Sequence, residues 1–274
     1  MYTEYQPSHL LVPYIDSYWE FKGNPDYGMR IHILPDGCTD FIFTLGEVAN
    51  AVEEGSLIMQ PYRSYFVGPM TKYSELVTYT ESIHMFGVRF LPCGLSCFTN
   101  LPLHEFVNSR VSTNEMKAVF DDTFIEKLGE QKHVTDRIRV VEEYLLAYLA
   151  RHYQPADSHV AMAVNMINHS KGKRSVRSLM VDVCLCQRHF ERKFKHYTGF
   201  TPKEYSRIVK FKNAVELLRT TTSANLLTTA VDAGYYDLAH FSKEIKSMSG
   251  NTPASFLSLT VPEETTLTYI EPQR

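Results

Sequence analysis

Two similar segments, 51 positions apart, lie in the second half of the chain. The first is HFERKFKHYTGFTPKEY, starting at His189, and the second is HFSKEIKSMSGNTPASF, starting at His240. The two copies share the residues that the first one has at His189, Phe190, Lys195, Gly199, Thr201 and Pro202. A unit this short cannot bury a core of its own, so the copies are expected to share one. The repeat therefore predicts a domain built from a duplicated element.

Each copy has the pattern of a helix that packs one face on a core. Phe190 and Phe194 are four residues apart and share a helical face, as does the matching pair in the second copy. Gly199 and Gly250 follow at the place where a helix C-cap requires a positive φ. The Thr-Pro pair after each glycine indicates a further helix, with threonine as its N-cap and proline in its first turn.

A shorter helix is predicted ahead of each copy. It spans Ser175–Val183 before the turn Cys184–Cys186, and Ser223–Gly234 before the turn Tyr235–Asp237. Two helices joined by a short turn, the second with a basic outer face, are typical of the helix-turn-helix, which places its second helix in the major groove of DNA. Between the copies, Thr201–Arg219 has a continuous apolar stripe and predicts a long helix. Two recognition helices on one face would enter consecutive grooves, about 34 Å apart.

The charge of the chain is divided unevenly along its length. Residues 1–154 contain 12 Lys and Arg against 20 Asp and Glu, a net charge of −8. Residues 155–258 contain 15 against 8, a net charge of +7, which the overall value of −3 conceals. This division indicates that the second half is the part that meets a polyanion.

The first hundred residues have the alternation and aromatic content of short strands separated by turns. The spacing predicts a small β-barrel or sandwich. The predicted strands are Arg30–Leu34, Asp40–Gly46, Ser64–Gly68, Leu76–Thr80 and His84–Phe90.

Helical patterns replace the strands after about Leu101. LPLHEFVNSRV and NEMKAVFDDTFIEKL are interpreted as short helices, and Thr135–Tyr153 carries the apolar stripe of a long one. That stripe is compatible with a dimer surface or with packing on the chain's own barrel. Gln154–Ser158 is the predicted linker, so the domains are expected at 1–154 and 155–258. Residues 259–274 are expected to form a loosely attached tail.

The second half resembles the AraC/XylS family of bacterial transcription regulators. The resemblance covers roughly Asp157 to Ser258 and rests on HFERKFKHYTGFTPKEYSRIVKFKNAVELL and AGYYDLAHFSKEIKSMSGNTPASF. The first half resembles, more distantly, the cupin-like regulatory domain of some members, through Tyr18-Trp19, LPDGCTDFIF, the VGP at 67–69 and the GVRFLPCG at 87–94. The resemblance implies an α+β chain with two helix-turn-helix units joined by a long helix. It also implies a regulator of transcription that binds double-stranded DNA and responds to a small effector through its first domain.

The resemblance assigns the DNA contacts position by position. Arg188 and Arg192 are one helical turn apart and are the expected base readers, because a guanidinium pairs with guanine through two hydrogen bonds. Lysines are expected to contact the phosphate backbone. The full set of expected contacts is Gln187, Arg188, His189, Glu191, Arg192 and Lys195 in the first unit, and Leu238, Ala239, His240, Ser242, Lys243 and Lys246 in the second.

Two features depart from the pattern of the family. Leu238 and Ala239 can contact a thymine methyl group but donate no side-chain hydrogen bond, so the second unit is expected to read DNA weakly. Cys184-Leu185-Cys186 stands where a glycine turn and a hydroxyl cap are usual, and a thiol caps a helix poorly.

Other functions remain open alongside an effector-controlled regulator. The thiols of Cys184 and Cys186 allow a thiol-responsive regulator, and a constitutive regulator needs no ligand. A cupin-like enzyme is disfavoured because His32 and His84 stand alone, whereas such a metal site requires clustered histidines and a carboxylate. We therefore predict no enzymatic activity, no cofactor and no metal, with a homodimer and, for an activator, RNA polymerase as further partners.

The composition excludes several classes of protein. No apolar run approaches the ~20 residues of a membrane span, and the first residues lack the pattern of a signal peptide. The five cysteines are Cys38, Cys93, Cys97, Cys184 and Cys186, and none forms a C-x-x-C pair. Reduced thiols and a cytoplasmic location are expected.

Overall fold

The computed structural model describes residues 2–51, 57–116, 119–120, 122–152, 154–220, 226–257 and 268–270. Within these residues, all strands but the last lie in the first half of the chain, and most of the helices lie in the second half. The strands are β1 (Tyr2–Tyr5), β2 (Ile15–Gly23), β3 (Met29–Ile33), β4 (Thr39–Thr44), β5 (Asn50–Ala51), β6 (Ser64–Val67), β7 (Ser74–Thr78), β8 (Ile83–Phe90), β9 (Arg110–Ser112) and β10 (Thr268–Ile270). The helices are α1 (Asp122–Gly129), α2 (Val134–His152), α3 (Ser158–His169), α4 (Val176–Val183), α5 (Gln187–Thr198), α6 (Pro202–Thr220), α7 (Leu226–Asp232), α8 (Leu238–Ser249) and α9 (Pro253–Leu257).

The strands form two antiparallel sheets. One has the order β1-β2-β8-β4-β6-β9 and the other the order β10-β3-β7-β5. Side chains alternate across the larger sheet, so adjacent residues enter different cores. Tyr18 and Phe86 pack with α1 and α2 on one face, whereas Trp19 and Met85 face the smaller sheet. The predicted α+β class and sandwich-like first domain are confirmed, and each of the five predicted strands is present.

The apolar stripe of α2 packs on the larger sheet of its own domain. Val141 and Leu145 are fully buried there, and Ile138 and Leu149 pack against the same core. Of the two interpretations of this stripe, packing on the chain's own barrel is therefore the one that the structure adopts.

The helical interpretation of LPLHEFVNSRV was wrong for its second half. Leu103–Phe106 forms a short 3-10 helix, but Arg110–Ser112 is a strand that pairs with β6. Asn108 takes a left-handed φ of 57°, and its side chain accepts a hydrogen bond from the Thr71 amide. This local turn redirects the chain from the helix onto the edge of the sheet.

The tail is not loosely attached throughout. Thr268–Ile270 pairs antiparallel with β3, so these three residues lie on the first domain. This attachment depends on backbone hydrogen bonds between the two strands. The tail has no apolar pattern from which the pairing could be predicted.

The repeat is visible in the boundaries of the helices. The helices α5 and α8 both have 12 residues and begin 51 positions apart. Phe190, Phe194, Phe241 and Ile245 all have no exposed surface and belong to one core cluster. The expected shared core is therefore confirmed.

A buried arginine connects the interior of the first domain to the loop of residues 34–38, which we call the β3–β4 loop. The Arg89 guanidinium lies 3.1 Å from Glu4 Oε1, 3.4 Å from Asp36 Oδ2 and 3.3 Å from Asp40 Oδ1. Asp40 also accepts a 2.7 Å hydrogen bond from the Trp19 indole. Because a buried charge requires partners, these carboxylates fix both Arg89 and the loop that carries Asp36.

The same loop contacts the second domain. The Asp36 carbonyl accepts from Lys212 Nζ on α6 at 3.3 Å. Gly37 has a φ of 86°, and a Cβ there would lie 2.7 Å from the Tyr205 ring. Glycine at this position therefore allows the loop to approach α6 closely.

Candidate nucleic-acid interface

The first helix-turn-helix unit consists of α4, a sharp turn and α5. Ser175 caps α4 by accepting a hydrogen bond from the Ser178 amide, and Cys184 ends that helix in a left-handed conformation with a φ of 54°. Cys186 is the N-cap of α5 and makes no side-chain capping bond. The thiol thus leaves the first amide groups of α5 without a side-chain acceptor, as expected for this residue.

The recognition helix α5 divides into a buried face and an exposed face. Phe190 and Phe194 anchor it in the core, and Gly199 ends it with a φ of 83°. The predicted contact residues lie on the outer side. Gln187, Arg188, Arg192 and Lys195 are exposed, and His189 and Glu191 are half-buried.

Two of these side chains pair with each other within α5. Gln187 Nε2 donates to Glu191 Oε1 at 2.9 Å, one helical turn away. Glu191 is therefore engaged by Gln187 rather than by Arg192. Arg188 and Arg192 remain exposed on the face that α5 turns to solvent.

The second unit has the same construction with fewer polar groups. Asp237 caps α8 by accepting from the His240 amide at 2.7 Å, and Gly250 ends the helix with a φ of 76°. Leu238 is 37% exposed, and the His240 ring packs edge-on against Tyr235 with centroids 5.4 Å apart. Of the remaining predicted contacts, Ala239, Lys243 and Lys246 are exposed and Ser242 is half-buried.

The long helix α6 holds the two units together. Thr201 and Glu204 form a capping box at its start, since the Thr201 amide donates to Glu204 Oε2 and the Glu204 amide donates to Thr201 Oγ1. The apolar stripe predicted for this helix lies in the shared core: Tyr205, Ile208, Phe211, Val215 and Leu218.

Sequence reasoning missed the residues that orient the recognition helices. Arg207 on α6 donates two 2.9 Å hydrogen bonds to Glu244 on α8, and the bond to Glu244 is the main cause that raises the pKa of Arg207. Lys193 on α5 donates to Asp157 Oδ2 at 2.6 Å rather than facing outward. These partners are 37 and 36 residues apart, so no local pattern identifies them.

The first domain does not bring metal-binding side chains together in the part of the chain that the structure describes, where no group of three or more His, Cys, Asp or Glu is placed to hold a metal ion. His84 Nε2 lies 3.0 Å from Glu20 Oε1, and the His32 ring stacks on Tyr73 at 5.5 Å. None of the helices described is long and apolar enough to cross a membrane.

Two domain families match separate parts of the chain. Residues 3–112 match a domain of unknown function, DUF6597, and residues 181–258 match a helix-turn-helix domain. No curated protein sequence matches the chain.

The search of solved structures found matches to proteins from two bacteria, Vibrio cholerae and Rhodopseudomonas palustris. ToxT from Vibrio cholerae in one crystal form is 10% identical, with 90% of this chain and all of that chain covered and a TM-score of 0.53. A second structure of ToxT, from strain O395, is 9% identical over 88% and 97% of the two chains, with a TM-score of 0.50. A probable AraC family transcriptional regulator from Rhodopseudomonas palustris is 20% identical over 37% and 96%, with a TM-score of 0.34.

The fold and the paired recognition helices thus define a DNA-binding protein of the double helix-turn-helix class, with an antiparallel sheet domain ahead of it. Its architecture is similar to that of ToxT. The fold expected from the resemblance to the AraC/XylS family is confirmed, with a helix-turn-helix domain at residues 181–258.

Proposed function

We propose that the chain is a transcription regulator of the AraC/XylS type. It reads specific DNA sequences through the exposed face of α5, with Arg188 and Arg192 as the base readers. The observation that carries this proposal is the position of the two arginines on the solvent side of a helix whose opposite face is locked by Phe190 and Phe194. A rigidly held helix presents its side chains in one register to the major groove. Two guanidinium groups one turn apart then suit adjacent or neighbouring guanines.

The lysines have a different role in this proposal. Three lysines are exposed: Lys195 on α5, and Lys243 and Lys246 on α8. Each carries its charge on a flexible side chain, which suits contacts with phosphate rather than base reading. The second unit then contributes mainly backbone affinity, together with apolar contact from Leu238 and Ala239 to thymine methyl groups.

A salt titration of DNA affinity tests this function. The full chain is titrated with a random duplex and with promoter DNA from upstream of its own gene, over a series of salt concentrations. We expect a steep loss of affinity with salt on both DNAs and tighter binding to the promoter. Absence of binding at low salt would refute the proposal, and equal affinity for both DNAs would refute base reading at that promoter.

We further propose that a small molecule bound by the chain changes its affinity for DNA. Support comes from the contact between the domains, because the β3–β4 loop touches α6, the helix that joins the two recognition units. A ligand that favours one arrangement of these elements would shift the population able to bind DNA.

We also propose that the protein has no enzymatic activity and that it is located in the cytoplasm together with the DNA it binds.

A thiol-responsive regulator is the second candidate, since Cys184 and Cys186 are exposed on either side of the turn between α4 and α5. Oxidation there would disturb the start of the recognition helix. DNA affinity measured with reduced and with oxidised protein, and again for Cys184→Ser, separates this candidate from an effector-controlled regulator.

A homodimer would use a surface other than the apolar stripe of α2. Analytical ultracentrifugation with and without DNA tests whether the chain dimerises. RNA polymerase is the partner expected of an activator.

A further inference from the structure

A solvent-open cleft lies between the two domains, and we call it the interdomain cleft. It has a volume of about 370 Å³. The wall from the first domain includes Asp16, Cys38 and Pro92, and the wall from the second includes Lys212 and Asn213 of α6. A volume of this size falls within the range of small-molecule sites.

The space between the two sheets of the first domain is smaller than the interdomain cleft. The space between its two sheets, lined by Trp19, Phe21, Ile31 and their neighbours, amounts to about 50 Å³. Such a space holds a few water molecules at most. The interdomain cleft therefore offers a ligand more space than the region between the two sheets does.

The wall of the cleft from the first domain offers a carboxylate, that of Asp16. Asp16 receives a long 3.5 Å hydrogen bond from Ser17 Oγ and forms no ion pair among the described residues. Burial and the neighbouring Asp36 raise the pKa of Asp16, and the more distant charges of Arg89 and Lys212 offset this in part. Asp36, by contrast, is already engaged by Arg89 and by the Cys38 amide. Asp16 is thus the acceptor that a ligand can use.

The wall from the second domain offers donors. Asn213 is 6% exposed, and its Nδ2 has no hydrogen-bond partner among the residues that the structure describes. A buried amide without a partner costs free energy, and a ligand oxygen would remove that cost once the Asn213 side chain turns its Nδ2 toward the cleft. Lys212 lies one residue before it and carries an ammonium group on the same wall, with Lys171 nearby. Glu216 lines the same wall but has a partner of its own, so Lys212 and Lys171 remain to pair with a carboxylate.

We propose that the interdomain cleft binds a small zwitterion of the amino-acid class. Its ammonium group pairs with Asp16, and its carboxylate accepts hydrogen bonds from Asn213 Nδ2 and Lys212 Nζ. Val209, Leu91 and Pro92 supply the apolar surface for the side chain of the ligand. Ligands with one charge leave one wall unpaired, so they bind more weakly.

The regulatory consequence of this site rests on the proposed function. Because the ligand bridges the two domains, it stabilises their observed arrangement relative to others. It thereby changes the affinity of the chain for DNA. Binding of the ligand is itself independent of DNA and is measured without it.

The test is calorimetry of the full chain with the standard L-amino acids, added one at a time at millimolar concentration in the absence of DNA. We expect heat of binding from at least one of them. We expect that the amine and the carboxylic acid that each lack one charged group of that amino acid, and a neutral sugar, bind at least about tenfold more weakly. No binding of any amino acid, or equal binding of the single-charge analogues, would overturn the proposal.

Variants assign the binding to the cleft. Asp16→Asn and Lys212→Met should each weaken binding about 10- to 100-fold, the effect of losing one hydrogen bond to a charged group. Asp26→Asn and Lys22→Met make the same chemical changes at exposed positions outside the cleft and should leave binding unchanged. Circular dichroism verifies that each variant is folded. Unchanged binding in both cleft variants would overturn the site. A ligand that binds without changing DNA affinity would refute the regulatory role alone.

Discussion

Lys193 Nζ on the first recognition helix lies 2.6 Å from Asp157 Oδ2, at the start of α3. The other oxygen of the same carboxylate accepts hydrogen bonds from the His159 and Val160 amides at 3.1 and 3.2 Å. One side chain therefore caps α3 and also holds α5. Through this contact, the position of the recognition helix depends on a residue at the very beginning of the second domain.

Asp157→Ala should destabilise the chain by about 2 kcal/mol, because it removes both a helix N-cap and a charged hydrogen bond. Urea unfolding followed by circular dichroism measures the effect. Asp157→Asn is the matched control, since asparagine also caps helices but carries no charge. It should lose less stability than the alanine variant, and equal losses would show that the cap contributes nothing.

The contribution of the Asp157 charge should depend on pH. Burial raises the pKa of Asp157, but the Lys193 hydrogen bond, the Val160 amide and the nearby charges outweigh it and lower the pKa below 3.8. A carboxylate with a lowered pKa stabilises the fold above the unfolded-state pKa, and this stabilisation is lost as the pH falls through the folded-state pKa. The difference in Tm between the parent chain and Asp157→Asn should therefore be full at neutral pH and vanish in acid. A difference that does not change with pH would contradict the assignment.

Gly87→Ala should destabilise the first domain by roughly 1–3 kcal/mol, the cost typical of overpacking a core. A Cβ at Gly87 would lie 1.9 Å from Cε2 of Trp19, which crosses this strand from β2. Gly129→Ala is the control, because its Cβ would meet nothing within 4 Å. Trp19 is the only tryptophan in the chain, so its fluorescence reports unfolding of this domain directly. Equal stability of the two variants would contradict the close packing of Trp19 on β8.

Arg192→Ala should weaken binding to a specific site by about 1–3 kcal/mol and leave affinity for random duplex nearly unchanged, because a bidentate base contact discriminates between sequences. Fluorescence anisotropy with both DNAs measures the two affinities. Arg139→Ala removes an equally long cation that is 60% exposed on the first domain, and it should alter neither. Equal losses on specific and random DNA would show that Arg192 contacts phosphate.

Lys195→Ala should weaken binding to all sequences alike and reduce the slope of log affinity against log salt by about one, the effect of losing one phosphate contact. The same anisotropy titrations, repeated at several salt concentrations, measure the slope. Lys127→Ala, at an exposed position of α1, is the control and should keep the slope of the parent chain. A loss confined to one DNA sequence would instead assign Lys195 to base reading.

The second domain was largely predictable because its signals are local. Apolar spacing of four residues identifies the buried faces of α5 and α8, and the glycines and Thr-Pro pairs mark where helices end and begin. Both helices lie where the pattern places them, and the expected contact residues lie on their outer faces. A helix is defined by hydrogen bonds within four residues, so a short stretch of chain carries most of the information.

Contacts between distant parts of the chain required the tertiary structure. Three ion pairs join separate elements, and no spacing in the chain predicts them. They are Lys193 with Asp157, Arg207 with Glu244, and Arg89 with Asp36. The pairing of Thr268–Ile270 with β3 and the walls of the interdomain cleft have the same character. Strand pairing and charge burial are satisfied by whichever groups the fold brings together, so their physical cause is proximity in space rather than order in sequence.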